Sequence, residues 1–398
     1  ILCYMKKTAE KLENFIKKEI VLCLSAFLAL ISMFFIRPDA SYLSYIDFRT
    51  LAILFCLMTI VAGFRQLGIF DLLAVRLLQK GKGIYGVMAI PMLLCFFMSM
   101  LITNDVALIT FVPLTITLFD KAGSAVPSAL SKRLMLTCIA MQTIAANLGS
   151  MLTPIGNPQN LFLYGKANTG GHTMTVSAFV GLLLPYSLLS LILLMLWILL
   201  LRFVDRKKLS SLCPELSLPA AGYSGKAKEY LIAYLLLFGI SLLCVAHLLP
   251  YGVLFFLVLL YTLLRNRRLL MQVDYSLLFT FAALFIFIGN LGRIPQFHDL
   301  LQRLLSGREV LTAVLASQVM SNVPAAVLLE KFSSDLPALM IGTNLGGLGS
   351  LIASMASLIS FKYIAGKDSS LCRRYLAEFT LANLIFLAVL LLFYFYHS

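Results

Sequence analysis

Leu101-Ile102-Thr103-Asn104-Asp105-Val106-Ala107 sets two polar side chains and a carboxylate inside a long apolar region. Phe96, Phe97, Met98 and Met100 precede it, and Leu108, Ile109, Phe111, Val112 and Pro113 follow. At bilayer depth a carboxylate costs about 2.5–3.5 kcal/mol on insertion scales, so a residue kept there is a functional-site candidate. How the stretch is read depends on whether the chain around it crosses a membrane.

Composition says that it does. The 398 residues are 60% hydrophobic and 13% charged, where a soluble domain carries about 25% charged residues. Val21–Ile36, Thr50–Phe64, Phe179–Leu201, Tyr230–Leu249 and Phe379–Tyr396 are apolar runs on the scale of a membrane-crossing helix, roughly 20 residues. The expected class is an all-α polytopic membrane protein with one membrane domain. The net charge of +14 does not make a nucleic-acid surface, because the basic residues sit in short clusters between apolar runs, as the positive-inside rule expects. The eight cysteines include no Cys-x-x-Cys, and most lie in apolar runs, where Cys is a small hydrophobe. His172, His247, His298 and His397 are scattered near ends and loops. Met5-Lys6-Lys7 through Lys17-Lys18, followed by an apolar run without a small-residue cleavage site, reads as a cytoplasmic segment before a first membrane helix rather than a cleaved signal.

Taken in order, residues 1–19 are a cytoplasmic N-terminal segment and 20–201 a first transmembrane repeat. Within it, a helix near 20–36 runs outward, one near 50–66 returns, and amphipathic Phe70–Leu78 lies along the inner interface. The apolar run of about 84–120 is longer than one span and is interrupted at Thr103–Asp105. It is either two full spans or a re-entrant helical hairpin, and the lack of Pro, Gly or a basic residue near 103 favours the hairpin. From about 132 to 165 an apolar run turns polar at Asn147-Leu148-Gly149 and continues through Thr153-Pro154-Ile155-Gly156-Asn157-Pro158. A proline inside a regular helix costs about 3 kcal/mol, so this is a broken helix, and unwound backbone at depth survives only in protein or lining a cavity. Residues 202–228 read as a cytoplasmic linker, and 229–398 as a second repeat with a hairpin at about 309–335 and a broken helix at about 336–363.

The second half echoes the first in four places and in the same order. Ile46-Asp47-Phe48 recurs as Val273-Asp274-Tyr275, and Leu67-Gly68 as Leu291-Gly292. Thr103-Asn104-Asp105 recurs as Ser321-Asn322-Val323-Pro324, and Asn147-Leu148-Gly149 as Asn344-Leu345-Gly346, followed by Gly347, Gly349 and Ser350. Charge makes the repeats inverted. Of the 32 Lys and Arg, seven fall outside (Arg37, Arg49, Lys166, Arg293, Arg303, Arg308 and Lys331), Arg65 sits at a helix end, and the others fall inside.

Two inverted repeats with broken helices are the pattern of a secondary transporter with a midplane site. A helix broken at depth offers free N–H groups to an anion and free C=O groups to a cation. An anion can then be held without a basic side chain, and none lies in residues 99–113, 142–160, 317–329 or 340–358. The candidate binding residues are Thr103, Asn104, Asp105, Asn147, Gly149, Thr153, Pro154, Gly156, Asn157, Ser321, Asn322, Pro324, Asn344, Gly346, Gly347 and Ser350. Gln142, Thr143 and Gln318 stand open between packing and site roles. An intramembrane enzyme would need a His-Glu-x-x-His or a comparable constellation, and none appears.

The two hairpin tips, Thr153-Pro154-Ile155-Gly156-Asn157-Pro158 and Asn344-Leu345-Gly346-Gly347 resemble the ion transporter superfamily over nearly the whole chain, about residues 47–396. That superfamily includes citrate-transporter-like permeases, divalent anion/sodium symporters, arsenite efflux permeases and a class of sodium/proton antiporters. The resemblance implies an elevator-type carrier. In the dicarboxylate symporters each tip carries Ser-Asn-Thr; here the asparagines match and the third position departs in both, so the first tip is more similar to the arsenite and sodium/proton branches. The expected substrate is a small anion such as citrate or another carboxylate, coupled to sodium or protons, with arsenite efflux or sodium/proton antiport as the alternative. The resemblance further implies a sodium site at Asn104, Asp105 and Asn322 and a homodimer; the expected setting is a bacterial plasma membrane, with the bilayer and a small anion as partners and no cofactor or nucleic acid.

Overall fold

The structure is a computed structural model that describes residues 19–78, 83–122, 128–169, 173–204 and 225–397. The N-terminal segment (but for Glu19) and most of the linker expected at 202–228 lie outside the described residues. All regular structure among the described residues is helical. Five helices are long and apolar enough to cross a membrane, or six if one bent pair counts as a single span. The protein is a polytopic helical membrane protein.

The first half runs α1 (Ile20–Phe35), α2 (Ser41–Tyr45), α3 (Phe48–Gln66), α4 (Ile69–Leu78), α5 (Gly83–Ile102), α6 (Asn104–Ala122), α7 (Ser128–Ser150), α8 (Pro158–Lys166) and α9 (Val176–Val204). The second runs α10 (Gly225–Val245), α11 (Tyr251–Arg265), a 3₁₀ turn at Arg267–Gln272, α12 (Tyr275–Leu291), α13 (Pro295–Leu305), α14 (Glu309–Met320), α15 (Asn322–Glu330), α16 (Leu336–Leu345), α17 (Met355–Lys367) and α18 (Cys372–His397). The amphipathic α13 turns off α12 at 105°.

The helix starts carry their own signals. Asp47 caps α3 by accepting from Thr50 N–H at 3.0 Å, and Asp274 caps α12 by accepting from Leu277 N–H at 3.0 Å, which makes the paired Asp motifs equivalent N-caps. The paired Leu-Gly motifs are less alike. Gly68 adopts φ +67 beyond the end of α3, whereas Gly292 is an ordinary right-handed cap of α12. Leu67 and Leu291 therefore do not hold the same position: one follows its helix and the other ends it.

Two groups of helices pack together. One contains α5–α8 and α14–α17, flanked by α9 and α18; the other contains α1, α3, α10, α11 and α12. In the first group, α8 lies on α15 of the other half, and α17 lies on α6. The halves therefore interlock. Around an apolar core, the surface and some interior positions depart from the pattern of a soluble protein. Gln142, Thr143, Asn160 and Thr343 are fully buried, while Leu199, Leu200, Leu236, Leu381 and Ile385 face outward. With no water at depth, polar groups must satisfy one another inside, and leucines can face lipid freely.

Candidate functional site

The chain reverses at Thr103 between α5 and α6, and at Ser321 between α14 and α15. Both are non-glycine residues at positive φ, +72 and +75. Such backbone costs about 1–3 kcal/mol and persists only where the surroundings fix it. The surroundings are the two helix breaks. Asn104 N–H donates to the Gly156 carbonyl at 3.2 Å, and Asn322 N–H donates to the Ala353 carbonyl at 2.9 Å. Each tip is thus stitched to the residue just before the N-cap of the helix that resumes after the break.

The same pairing recurs along both hairpins. The Thr153 hydroxyl donates to the Met100 carbonyl, and the Ser350 hydroxyl to the Gln318 carbonyl at 3.4 Å. A Cβ on Gly149 would strike the Phe96 carbonyl and the Ser99 hydroxyl; one on Gly346 would strike the Ser317 hydroxyl. Small residues there let a hairpin arm press on the broken helix. Gln318 adds to the second seam, donating to the Gly346 and Leu348 carbonyls at 3.1 and 2.9 Å and accepting from Ser350 N–H at 2.8 Å.

Where the breaks meet, the halves exchange partners. Asn147 Oδ1 accepts from the Ser354 hydroxyl at 3.0 Å and from Asn104 Nδ2 at 3.0 Å. Asn344 Oδ1 accepts from Asn157 Nδ2 at 3.1 Å. Asn157 and Ser354 are the N-cap residues of α8 and α17. Each asparagine near the end of a first half-helix thus holds the N-cap of the other half's second half-helix. Asn344 Nδ2 also reaches Asn160 Oδ1 at 2.7 Å, Asn157 Nδ2 reaches the Ser150 hydroxyl at 3.2 Å, and Asn147 Nδ2 reaches the Gly347 carbonyl at 3.4 Å.

A small chamber lies between the tips, lined by Asn104, Asp105, Gln159, Asn322, Val323 and Ser354. Its volume is about 10 Å³, room for about one water-sized occupant. Asp105 Oδ1 and Gln159 Oε1 are buried acceptors without a hydrogen-bond partner among the described residues. Asp105 also lines a second, larger cavity of about 490 Å³ together with Thr103, Arg65, Asp274 and apolar residues of α3 and α6. This vestibule leads from the first tip to the end of the bundle that carries Arg65 and Asp274. Its charged lining is one arginine and two aspartates.

The residues expected from sequence are brought together unevenly. Asn104, Asp105 and Asn322 line the chamber, and Thr103 the vestibule. Asn147, Asn157 and Asn344 form the polar exchange behind it. Gly347 closes on Asn322, because a Cβ there would lie 2.9 Å from Asn322 Nδ2. Gly156 supplies the carbonyl under the first tip, and Ser321 is the strained turn of the second. Thr153, Ser350, Gly149 and Gly346 instead fasten hairpin to broken helix. Pro154 is buried within the first break, and Pro324 sits in the first turn of α15, where no intrahelical N–H is required. Gln142 and Thr143 make packing bonds, to the Phe111 carbonyl at 3.4 Å and the Ser360 hydroxyl at 2.7 Å.

Comparison with known proteins names the scaffold. The family profile described as citrate transporter matches residues 9–333. The chain belongs to the citrate transporter family. It is 32% identical over 321 residues to an uncharacterized transporter of Methanocaldococcus jannaschii, covering 81% of this chain and 82% of that one. It is 30% identical over 353 residues to the inner membrane protein YbiR of Escherichia coli, covering 83% and 84%. A shorter match, 31% over 129 residues, joins 32% of this chain to 14% of the mouse P protein. The protein is accordingly a transporter, integral to a membrane.

Within this transporter, sequence reading missed Ser354, Gln159 and Asn160. Ser354 had a detectable signal: Asn147 to Asn157 and Asn344 to Ser354 span the same number of residues. Gln159 and Asn160 follow the prolines of the first break, and only their place in the fold marks them. Arg65, at its helix end, also lines the vestibule.

Proposed function

We propose that the transporter is a secondary active carrier of a small anion, citrate or another carboxylate, coupled to sodium or protons. The observation that carries this reading is the chamber between the tips: neutral amide and hydroxyl groups around it, and one buried carboxylate oxygen, Asp105 Oδ1, with no partner among the described residues. Neutral donors suit an anion that must bind and leave. A lone carboxylate suits the coupling cation or proton, with Asn104 and Asn322 as further oxygen donors for sodium. The chamber is too small for citrate, so the vestibule beside it is the substrate's berth in this conformation, with Arg65 as its cationic group.

The exchange of Asn147–Ser354 for Asn344–Asn157 supports two repeats related by an approximate two-fold axis. With the Lys-rich N-terminus on the cytoplasmic side, these repeats are inverted, the two turns are re-entrant tips, and the vestibule faces the cytoplasm. The separation into two packing groups supports an elevator in which the hairpins and broken helices move past α3 and α12. A homodimer built on the second group completes the proposed assembly.

The lone Asp105 also favours a second reading, a cation/proton antiporter, because the vestibule holds two aspartates against one arginine. Proteoliposome uptake of citrate, smaller carboxylates and inorganic oxyanions, with sodium and proton gradients imposed separately, tests both. Uphill accumulation of an anion under one gradient supports the carrier. Cation exchange without anion uptake selects the antiporter, and purely downhill flux indicates a channel. Asp105→Asn is expected to lower coupled uptake about 100-fold, as the loss of an essential intramembrane charge, while the variant elutes as the folded protein. Unchanged coupled uptake in that variant overturns the role of Asp105.

A further inference from the structure

A further cavity lies outside the transport site. It is about 670 Å³, at the end of the bundle that also carries Arg65, and is lined by Gln66, Tyr230, Tyr234, Arg265, Arg267 and Arg268, among others. We infer that it binds the phosphate headgroup of an anionic phospholipid.

Three observations converge. Among the described residues, no acidic side chain lines the cavity and none of the three arginines makes an ion pair. Three guanidinium groups around one space repel one another, and a shared anion relieves this. Only Arg267 is partly spent, since its Nε donates to the Leu263 carbonyl at 2.8 Å at the end of α11. Arg265 and Arg268 remain to fork around phosphate oxygens, a geometry guanidinium suits.

The cavity is also at headgroup level. Tyr230 and Tyr234 stack with ring centroids 6.4 Å apart, and Tyr261 meets Tyr234 edge-on at 5.7 Å, as interfacial aromatics do. The same two helices expose apolar side chains around their outer faces, Ile232, Leu235 and Leu236 on α10 and Leu260 and Leu264 on α11. An occupant with a phosphate head and acyl tails satisfies both ends, and basic pockets between membrane helices are suited to such heads. Free phosphate shares the head chemistry but makes no use of the leucines.

Native mass spectrometry of the delipidated full chain, titrated separately with phosphatidylglycerol, phosphatidylcholine and inorganic phosphate, distinguishes the sources. Phosphatidylglycerol is expected to bind saturably, about tenfold or more tighter than phosphatidylcholine, with the preference shrinking as salt rises. Arg265→Gln/Arg268→Gln is expected to remove the preference. Arg373→Gln/Arg374→Gln, an equal loss of charge on another helix, is expected to keep it. If the first variant does not fold, Arg265→Lys/Arg268→Lys and the salt titration of the wild type carry the test. Equal loss in both glutamine variants, an unchanged preference in the first, or saturable phosphate binding without lipid discrimination each overturn the assignment.

Discussion

At the residue scale, the feature that organises the centre is an asparagine used as a clasp. Asn147 Oδ1 accepts two hydrogen bonds from opposite halves of the chain, one from Asn104 and one from Ser354. Removing it strands two buried donors, and each unsatisfied buried group costs about 1–3 kcal/mol. Asn147→Ala is therefore expected to destabilise the protein by about 2–4 kcal/mol, read as earlier thermal unfolding in detergent. Ser354→Ala removes only one side of the clasp and is expected to cost about 1 kcal/mol. A double-mutant cycle separates contact from context: the two substitutions are expected to be sub-additive by about 1 kcal/mol, as residues in one hydrogen-bond network are. Strict additivity would mean that Asn147 and Ser354 do not act on each other. Asp105 differs from these clasps. Its N–H is engaged by its neighbour, the Asn104 side chain, at 2.9 Å, but its Oδ1 has no partner among the described residues. A structural carboxylate at such depth would have recruited donors, and this one faces two cavities instead.

At the element scale, each hairpin is bound to a broken helix by close backbone approach, and a glycine sits at each seam. Gly149→Ala would drive a methyl group into the Phe96 carbonyl, which is backbone and cannot step aside. The expected cost is about 1–3 kcal/mol, as for overpacking in a core, with separation of α5 from α7 and loss of transport. Gly181→Ala on α9 meets nothing within 4 Å and is expected to be neutral or slightly stabilising. Equal stability of the two alanine variants would show that the seam does not depend on close approach at Gly149. These elements were largely legible in the sequence because breaks in membrane helices need unusual residues. A regular helix facing lipid has no use for clustered prolines, glycines and asparagines, so their presence within an apolar run marks a break. The helices expected near 20–36 and 50–66 fall within a few residues of the observed ones. The length of the first hairpin was less decisive. Its arms of 20 and 19 residues are about 30 Å long, enough to span, whereas those of the second are 12 and 9 residues. What was not legible was the exchange between halves. Ser354 alone looks like any helix-starting serine, and Gln159 like any polar residue after a proline. Ser354 takes its role from Asn147, a partner far away in the chain, and Gln159 from the tips that close around it, which no local pattern encodes.

At the scale of the whole molecule, the contacts divide into those that should break during transport and those that should not. The seams and the clasps all lie inside one group, α5–α8 with α14–α17, and make it internally continuous. Between this group and α3 and α12 lies the vestibule, whose facing walls are mostly apolar side chains, among them Leu54, Met58 and Val61 on one side and Val106 and Ile109 on the other. Apolar surfaces slide at lower cost than hydrogen-bonded ones, because no directional bond is lost at intermediate positions. The proposed elevator thus has a defined plane of movement, and distance measurements can test it. In a background with the native cysteines replaced, spin labels at Thr117 on α6 and Leu264 on α11 report across the plane. Labels at Thr117 and Leu315 on α14 report within the moving group; all three positions are exposed, so labelling leaves the packing intact. The first pair is expected to give two distance populations whose ratio shifts with sodium or proton concentration and with a transported carboxylate. The second pair is expected to give one population throughout. A single, unchanging distance across the plane under every condition that supports uptake would rule out the rigid-body movement. Two populations within the moving group would place the moving boundary inside the hairpins, where the turns at Thr103 and Ser321, already held at positive φ, are strained enough to act as hinges.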